Sequence, residues 1–215
     1  MVTGFIPLPL FHMLGLNFCM WSYRDSADII MERDRLFSVN KFPVDVFWMD
    51  IKWSENYQFF NFDNTSFPPA KLDQMNAQIA TSNRRLVLVI DPMVQNNTDY
   101  FAFTNGIKLE NNSKEGNVTN IFIKKYGLDQ NYVGYSWPGW SVWVDFLNTN
   151  AEKYWASLVV NITGTNYLYT YWNDMNEPSE FINEENLMRK TNIHIREDGK
   201  KFEHRDVKNA YGGLN

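Results

Sequence analysis

The chain has 215 residues, 44% of them hydrophobic and 21% charged, with a formal net charge of −5. That size and balance suit a globular protein with one sizeable core. Its scattered acids and bases form no basic stripe, so nucleic acid is not an expected partner, and no apolar run reaches the roughly 20 residues of a membrane-spanning helix.

In chain order, the run FIPLPLFHMLGLNFCMW comes first. It lacks a basic leader, carries Pro7 and Pro9 inside its apolar stretch and offers no small-residue cleavage site, which argues against a signal peptide. Its second half, Leu14 to Trp21, is the first of four expected strands. A helix follows from about Ser26 to Phe37, with Asp25 or Ser26 as its N-cap. Val44 to Ile51 is the second strand, and a second helix runs from about Ala70 to Asn83, directly after Pro68 and Pro69. Leu86 to Asp91 is the third strand.

The span from about 93 to 144 breaks this rhythm. It is rich in Asn, Gly and aromatic residues and reads as a long insertion or loop. A third helix starts at Thr149, where Thr149 and Glu152 have capping-box spacing, and runs to about Val160. Tyr167 to Asp174 is the fourth strand, and HRDVKNAYGG near the end reads as the start of another helix. Strands alternating with helices predict βαβ units and a parallel sheet, an α/β fold.

Cys19 is the single cysteine, so no disulfide forms within the chain and cysteine usage is silent on compartment. Sequons begin at Asn64, Asn96, Asn111, Asn117 and Asn161, more than chance supplies, and they hint at a secretory-pathway lumen.

Parallel α/β proteins place their sites at the carboxyl ends of strands. Period-two alternation puts Val46, Trp48 and Asp50 on one face of the second strand, and Thr170, Trp172 and Asp174 on one face of the fourth. Asp91, before Pro92, fits an acid that merely caps a turn. Asp50 and Asp174 fit that less well, because bulky apolar neighbours raise the cost of a charge. Carboxylates at strand ends among tryptophans suggest glycoside hydrolysis, in which a retaining enzyme sets two carboxyl groups about 5 Å apart. Asp174 and Glu177 are both candidates. Asn176-Glu177-Pro178 resembles the acid/base motif of many retaining β-glycosidases, which would make Glu177 the proton donor.

The longer stretch WNDMNEPSEF resembles the nucleophile signature of glycoside hydrolase family 31, the α-glucosidase family. The likeness extends over nearly the whole chain. LGLNFCMWSYRD resembles the family's first barrel strand, DVFWMDIKWSENYQFFNFDNTSFP its second strand and loop, and LVLVIDPMV its third. YSWPGWSVWVDF resembles the aromatic segment that follows, and EHRDVKNAYGG the helix after the nucleophile loop. The resemblance implies a partial (β/α)8 TIM-type barrel, about its first four strands with a long insertion after the third. It makes residues 1–215 the N-terminal half of the catalytic barrel.

By the same resemblance Asp174 is the nucleophile and Asp50 binds hydroxyls of the glucose in the cleavage subsite. Trp21, Ile51, Trp137, Trp172 and Met175 line that subsite, and Glu177 becomes a structural acid of the turn. No cofactor and no metal is implied. Trp-x-Tyr-Arg-Asp at Trp21 to Asp25 and Glu-His-Arg-Asp-Val at Glu203 to Val207 resemble one branch of the family most. That branch trims α-1,3-linked glucose from N-linked glycans in the endoplasmic reticulum lumen, so an oligosaccharide substrate and a non-catalytic β subunit are the implied partners. Met93 and Lys208 stand where that branch usually has histidine.

The family's acid/base aspartate, with a sugar-binding arginine and histidine, lies on later strands than this chain contains. A full barrel takes about 250 residues, so the chain reads as a fragment. It is expected to be inactive alone and aggregation-prone at its open sheet edges. The alternatives are a non-catalytic carbohydrate-binding or inert truncated protein, a partner chain that supplies the other half barrel, and a β-glycosidase using Glu177.

Overall fold

The structure, a computed structural model, describes residues 8–21, 26–111, 120–125, 128–164, 167–183, 193–195 and 201–203, the short segments from residue 182 onward as backbone alone. Along the chain run β1 (Asn17–Cys19), α1 (Ala27–Val39), β2 (Val46–Met49), α2 (Pro69–Thr81), β3 (Arg85–Ile90), β4 (Met93–Gln95) and α3 (Phe101–Asn111). They continue with β5 (Gly134–Ser136), β6 (Gly139–Trp143), α4 (Thr149–Thr163), β7 (Tyr169–Asn173), β8 (Ile182–Asn183), β9 (Ile193–Ile195) and β10 (Lys201–Glu203). The chain divides into two compact units, one of Met1–Glu55, Phe62–Ile90 and Thr165–Trp172, the other of Asn56–Asn61, Asp91–Gly164 and Asn173–Asn215.

The first unit is built on a sheet of order β1-β2-β3-β7, with Val46 opposite Asn17 and Arg85 in parallel register. Apart from half-buried Trp48 and Arg85, β2 and β3 are buried throughout, which is why both read as continuous apolar runs. Helices α1 and α2 are the crossovers between successive strands and pack on each other. Ser26 Oγ caps α1 by accepting from Ile29 N at 3.2 Å, and Pro69 supplies a pre-set φ at the first position of α2.

A buried ionic knot joins these helices to the sheet. Arg84, just before β3, pairs with Asp34 of α1 and donates through Nε to Val44 O at 3.1 Å. The second oxygen of Asp34 accepts from Gln78 Nε2 at 2.8 Å and Ser82 Oγ at 2.9 Å. Both charges are therefore satisfied inside the fold, as burial demands.

The second unit carries an antiparallel sheet of order β4-β6-β5-β8, registered by Met93 opposite Trp143 and Gly134 opposite Ser141. Its core centres on Phe122, which stacks on Phe103 of α3 and meets the Tyr154 ring of α4 edge-on, each at 5.9 Å between centroids. Gly106 makes this approach possible, since a Cβ there would stand 2.4 Å from the Phe122 ring. Tyr154 donates to Ala102 O at 2.8 Å. Glu110 closes the end of α3 by accepting from Ile121 N at 2.9 Å and Phe122 N at 3.0 Å while pairing with Lys124. β9 and β10 form an antiparallel pair.

Three expectations change against this structure. The span read as an insertion or loop holds α3 and β4 to β6. β1 covers only Asn17–Cys19, preceded by a short 3-10 turn at Phe11–Leu14. Helix α4 is capped by Asn148, whose side chain accepts from Asn150 N at 3.0 Å, so Thr149 is its first helical residue rather than its cap. The helix expected around HRDVKNAYGG lies outside the described residues. No helix among the described residues is long and apolar enough to cross a membrane.

Candidate active site

In the first unit, Asp50 directly follows the last residue of β2 and is buried. One of its oxygens accepts from Ile51 N at 2.7 Å, so it caps the single 3-10 turn Ile51–Trp53. The capping role that sequence made less expected is thus present. It occupies Oδ1 against the backbone and does not preclude a second role for the carboxylate. Ile51 is buried, and Trp53 Nε1 donates to Val89 O at 3.0 Å, tying the turn back to β3.

Trp172 of β7 meets Trp48 of β2 with ring centroids 5.2 Å apart. Trp48 Nε1 also donates to Asn17 Oδ1 at 2.9 Å. On the opposite face Phe47 packs against Phe37 of α1, and Tyr169 donates to Asn76 of α2 at 2.5 Å. The sheet therefore turns the two tryptophans away from its helices, as alternation predicts. Trp21 lies in a turn beyond β1 and is 63% exposed; residues 22–25 lie outside the described residues.

In the second unit, half-buried Asp174 directly follows β7. The turn after it is sharp. Met175 adopts a left-handed backbone at φ 55°, Asn176 Nδ2 donates to Asp174 O at 2.8 Å, and Ser179 N donates to Met175 O at 3.1 Å. The Glu177–Pro178 peptide is cis. Glu177 itself is exposed, at the rim of a cavity of about 210 Å³ lined also by Trp143, Asp145, Asn176 and Pro178. The acid that braces this turn is Glu180, which accepts from Tyr132 Oη at 2.6 Å. Asp91, read from sequence as a turn-capping acid, is fully buried.

The segment then returns to the antiparallel sheet. Phe181 N donates to Tyr135 O at 2.9 Å, and Ile182 pairs with Tyr135. This brings the chain after Asp174 to Trp137, which stands with Pro138 at the two-residue tip between β5 and β6. Trp137 meets the Phe181 ring edge-on at 5.0 Å and the Tyr57 ring at 5.9 Å. Asp174, Met175 and Trp137 thus share one unit, while Asp50, Ile51, Trp21 and Trp172 share the other. The two rings in contact with Trp137, Tyr57 and Phe181, were not singled out in the sequence. Phe181 was discoverable, since it closes the same motif as Asp174. Tyr57 sits in the polar run SENYQ, which carries no periodic signal.

Among the described residues no group of three or more histidine, cysteine or acidic side chains could hold a metal ion. The sequence model of the glycosyl hydrolases family 31 TIM-barrel domain matches residues 6–215. A neutral alpha-glucosidase AB from Dictyostelium discoideum is 35% identical over 98% of this chain and 21% of its own length. Glucosidase 2 subunit alpha from Schizosaccharomyces pombe is 35% identical over 95% of this chain and 20% of its own length. A solved structure of an ER glucosidase II heterodimeric complex, catalytic subunit with the binding domain of the regulatory subunit, matches 78% of this chain and 17% of its own at 30% identity and TM-score 0.67. The chain thus spans about a fifth of the length of the curated relatives it matches.

Proposed function

The chain belongs to the TIM-barrel domain of glycosyl hydrolase family 31, and on that premise we propose that it carries the nucleophile-bearing part of a retaining α-glucosidase site. The observation that carries this reading is Asp174, half-buried directly after a core strand whose Trp172 faces away from the helices. Asp174 attacks the anomeric carbon of a terminal α-linked glucose as the bond to the leaving oxygen breaks. Water then attacks the same carbon, the ester bond to Asp174 breaks, and the configuration is retained. Asp50 accepts from the sugar's hydroxyls, and Trp21, Ile51, Trp137, Trp172 and Met175 line the glucose subsite.

The left-handed Met175 and the Asn176 bond to the Asp174 carbonyl support this reading, because they hold the backbone directly after the nucleophile. A pre-positioned nucleophile is worth much of an enzyme's rate. Ordinary glucosides also need a proton donor for the leaving oxygen, and none of the residues assigned here is that donor. On this reading residues 1–215 form the N-terminal half of a barrel with an insertion at about 93–144, and the isolated chain does not hydrolyse ordinary glucosides. The resemblance to glucosidase II further supports N-glycan glucose as substrate, the endoplasmic reticulum lumen as location and a non-catalytic subunit as partner.

A fluorosugar glucosyl donor tests the assignment without recourse to a proton donor, since fluoride leaves unprotonated. Incubation followed by peptide mass mapping should find one glucosyl adduct on Asp174, absent in Asp174→Asn. An adduct on Glu177 would favour the β-glycosidase reading instead, and no adduct at all would sink both.

A further inference from the structure

Resting on the α-glucoside reading above, we propose that Tyr57 is a specificity-determining residue that stacks on the sugar unit beyond the glucose being cleaved. The first observation is backbone strain. Asn56 and Tyr57 are consecutive left-handed residues, at φ 51° and 60°. Asparagine tolerates that region, but a bulky aromatic residue there is an outlier. Such strain persists only where the surroundings over-determine it, and it gathers at ligand-contact sites.

The surroundings here do over-determine it. Phe59 and Phe60 are buried just downstream, and Tyr100 donates to Phe59 O. Gln58 Nε2 donates to Gln95 Oε1 at 2.5 Å, and Gln95 Nε2 donates in turn to Pro138 O at 2.5 Å, beside Trp137. The loop is therefore anchored to the hairpin that carries Trp137, and Tyr57 joins it through its carbonyl, which accepts from Phe59 N at 3.1 Å. The Tyr57 ring itself is only half-buried and contributes little to the core.

The second observation is what that strained residue presents. Its ring stands 5.9 Å from Trp137 and is tilted 48° to it. Trp137 continues at 5.0 Å into Phe181, which is 46% exposed. These rings form one partly exposed aromatic run. The C–H face of a pyranose suits such a surface, because aromatic rings bury apolar area at low entropic cost while the sugar's hydroxyl rim stays wet. With Trp137 against the cleaved glucose, the Tyr57 ring, in contact with Trp137, is in reach of the adjoining unit.

Titration of the 215-residue chain with glucose and with maltotriose, read by tryptophan fluorescence, tests this. Tyr57→Ala should weaken maltotriose about tenfold, the worth of one lost aromatic stack, and leave glucose affinity unchanged. Tyr57→Phe should restore maltotriose binding. Tyr57→Gly removes ring and strain together, so it should match Tyr57→Ala in binding while raising Tm by about 2–4 °C. An unchanged maltotriose-to-glucose ratio in Tyr57→Ala, or equal loss of both sugars, overturns the inference alone. If the unaltered chain binds neither sugar while Asp174 also fails to take the fluorosugar, the α-glucoside reading falls and takes the inference with it; with Asp174 labelled but no sugar bound, only the inference falls.

Discussion

The parallel unit and the antiparallel unit solve the same burial problem in opposite ways. In the first, β3 runs Arg85–Ile90 with five consecutive residues buried. In the second, β5 is three residues long and alternates, with Gly134 and Ser136 buried around exposed Tyr135. Strands covered on both faces need apolar residues at every position, whereas half-covered ones need them only at every second. Each unit also holds one mostly buried acid–base pair, Asp34 with Arg84 and Glu110 with Lys124. The first ties two helices to a sheet. The second ties a helix end to two backbone amides, a more local job.

That contrast can be broken most forcefully at Asp34. Asp34→Ala leaves Arg84 charged and buried, which costs about 3–5 kcal/mol. Hydrogen exchange should show the loss in β2 and β3 amides and spare α3 and α4; loosening of both units alike would mean that they unfold together. Alkaline pH probes the contrast in the other direction. Burial pushes the phenols of Tyr100 and Tyr154 in the second unit, and of Tyr169 in the first, well above the usual tyrosine range. The stability this represents is intact below about pH 10, where unfolded tyrosine begins to ionise, and is lost as pH rises from there toward the folded values. Each phenol contributes about 1.4 kcal/mol per pH unit. The second unit should therefore weaken about twice as steeply above pH 10, and Tyr154→Phe should halve that slope in an alkaline denaturation series.

The smallest expected effect concerns α4. Asn148→Ala should cost about 1 kcal/mol and Thr149→Ala only a few tenths, measured by urea midpoint. The reverse ranking would restore the cap that the sequence suggested.

Why that cap was misplaced shows where legibility stops. Thr149 and Glu152 carry a real capping pattern, but Asn148 is by itself a good cap residue, and backbone dihedrals decide between them. β2, β3 and β7 were legible because their apolar runs are long and end at acids. β4 to β6 were not, because strands of three to five residues, one of them pairing across some fifty residues, leave no periodicity to read. The same division holds at the candidate site. Asp50, Trp172 and Asp174 follow from strand parity and motif. Tyr57 depends on a left-handed backbone fixed by Gln58, Gln95 and Pro138, and Glu180 takes the bracing role expected of Glu177 because Tyr132 reaches it. Both are facts of distant pairing.

The Trp48–Trp172 contact carries one more consequence. Their strands are separated by β3, yet the indoles lie 5.2 Å apart and inclined by 57°. Two indole transitions so close and so skewed couple into an exciton pair, which splits the circular dichroism into lobes of opposite sign. The chain therefore carries an intrinsic optical gauge of how tightly its sheet curls, one that a sugar wedged between or against those rings would detune.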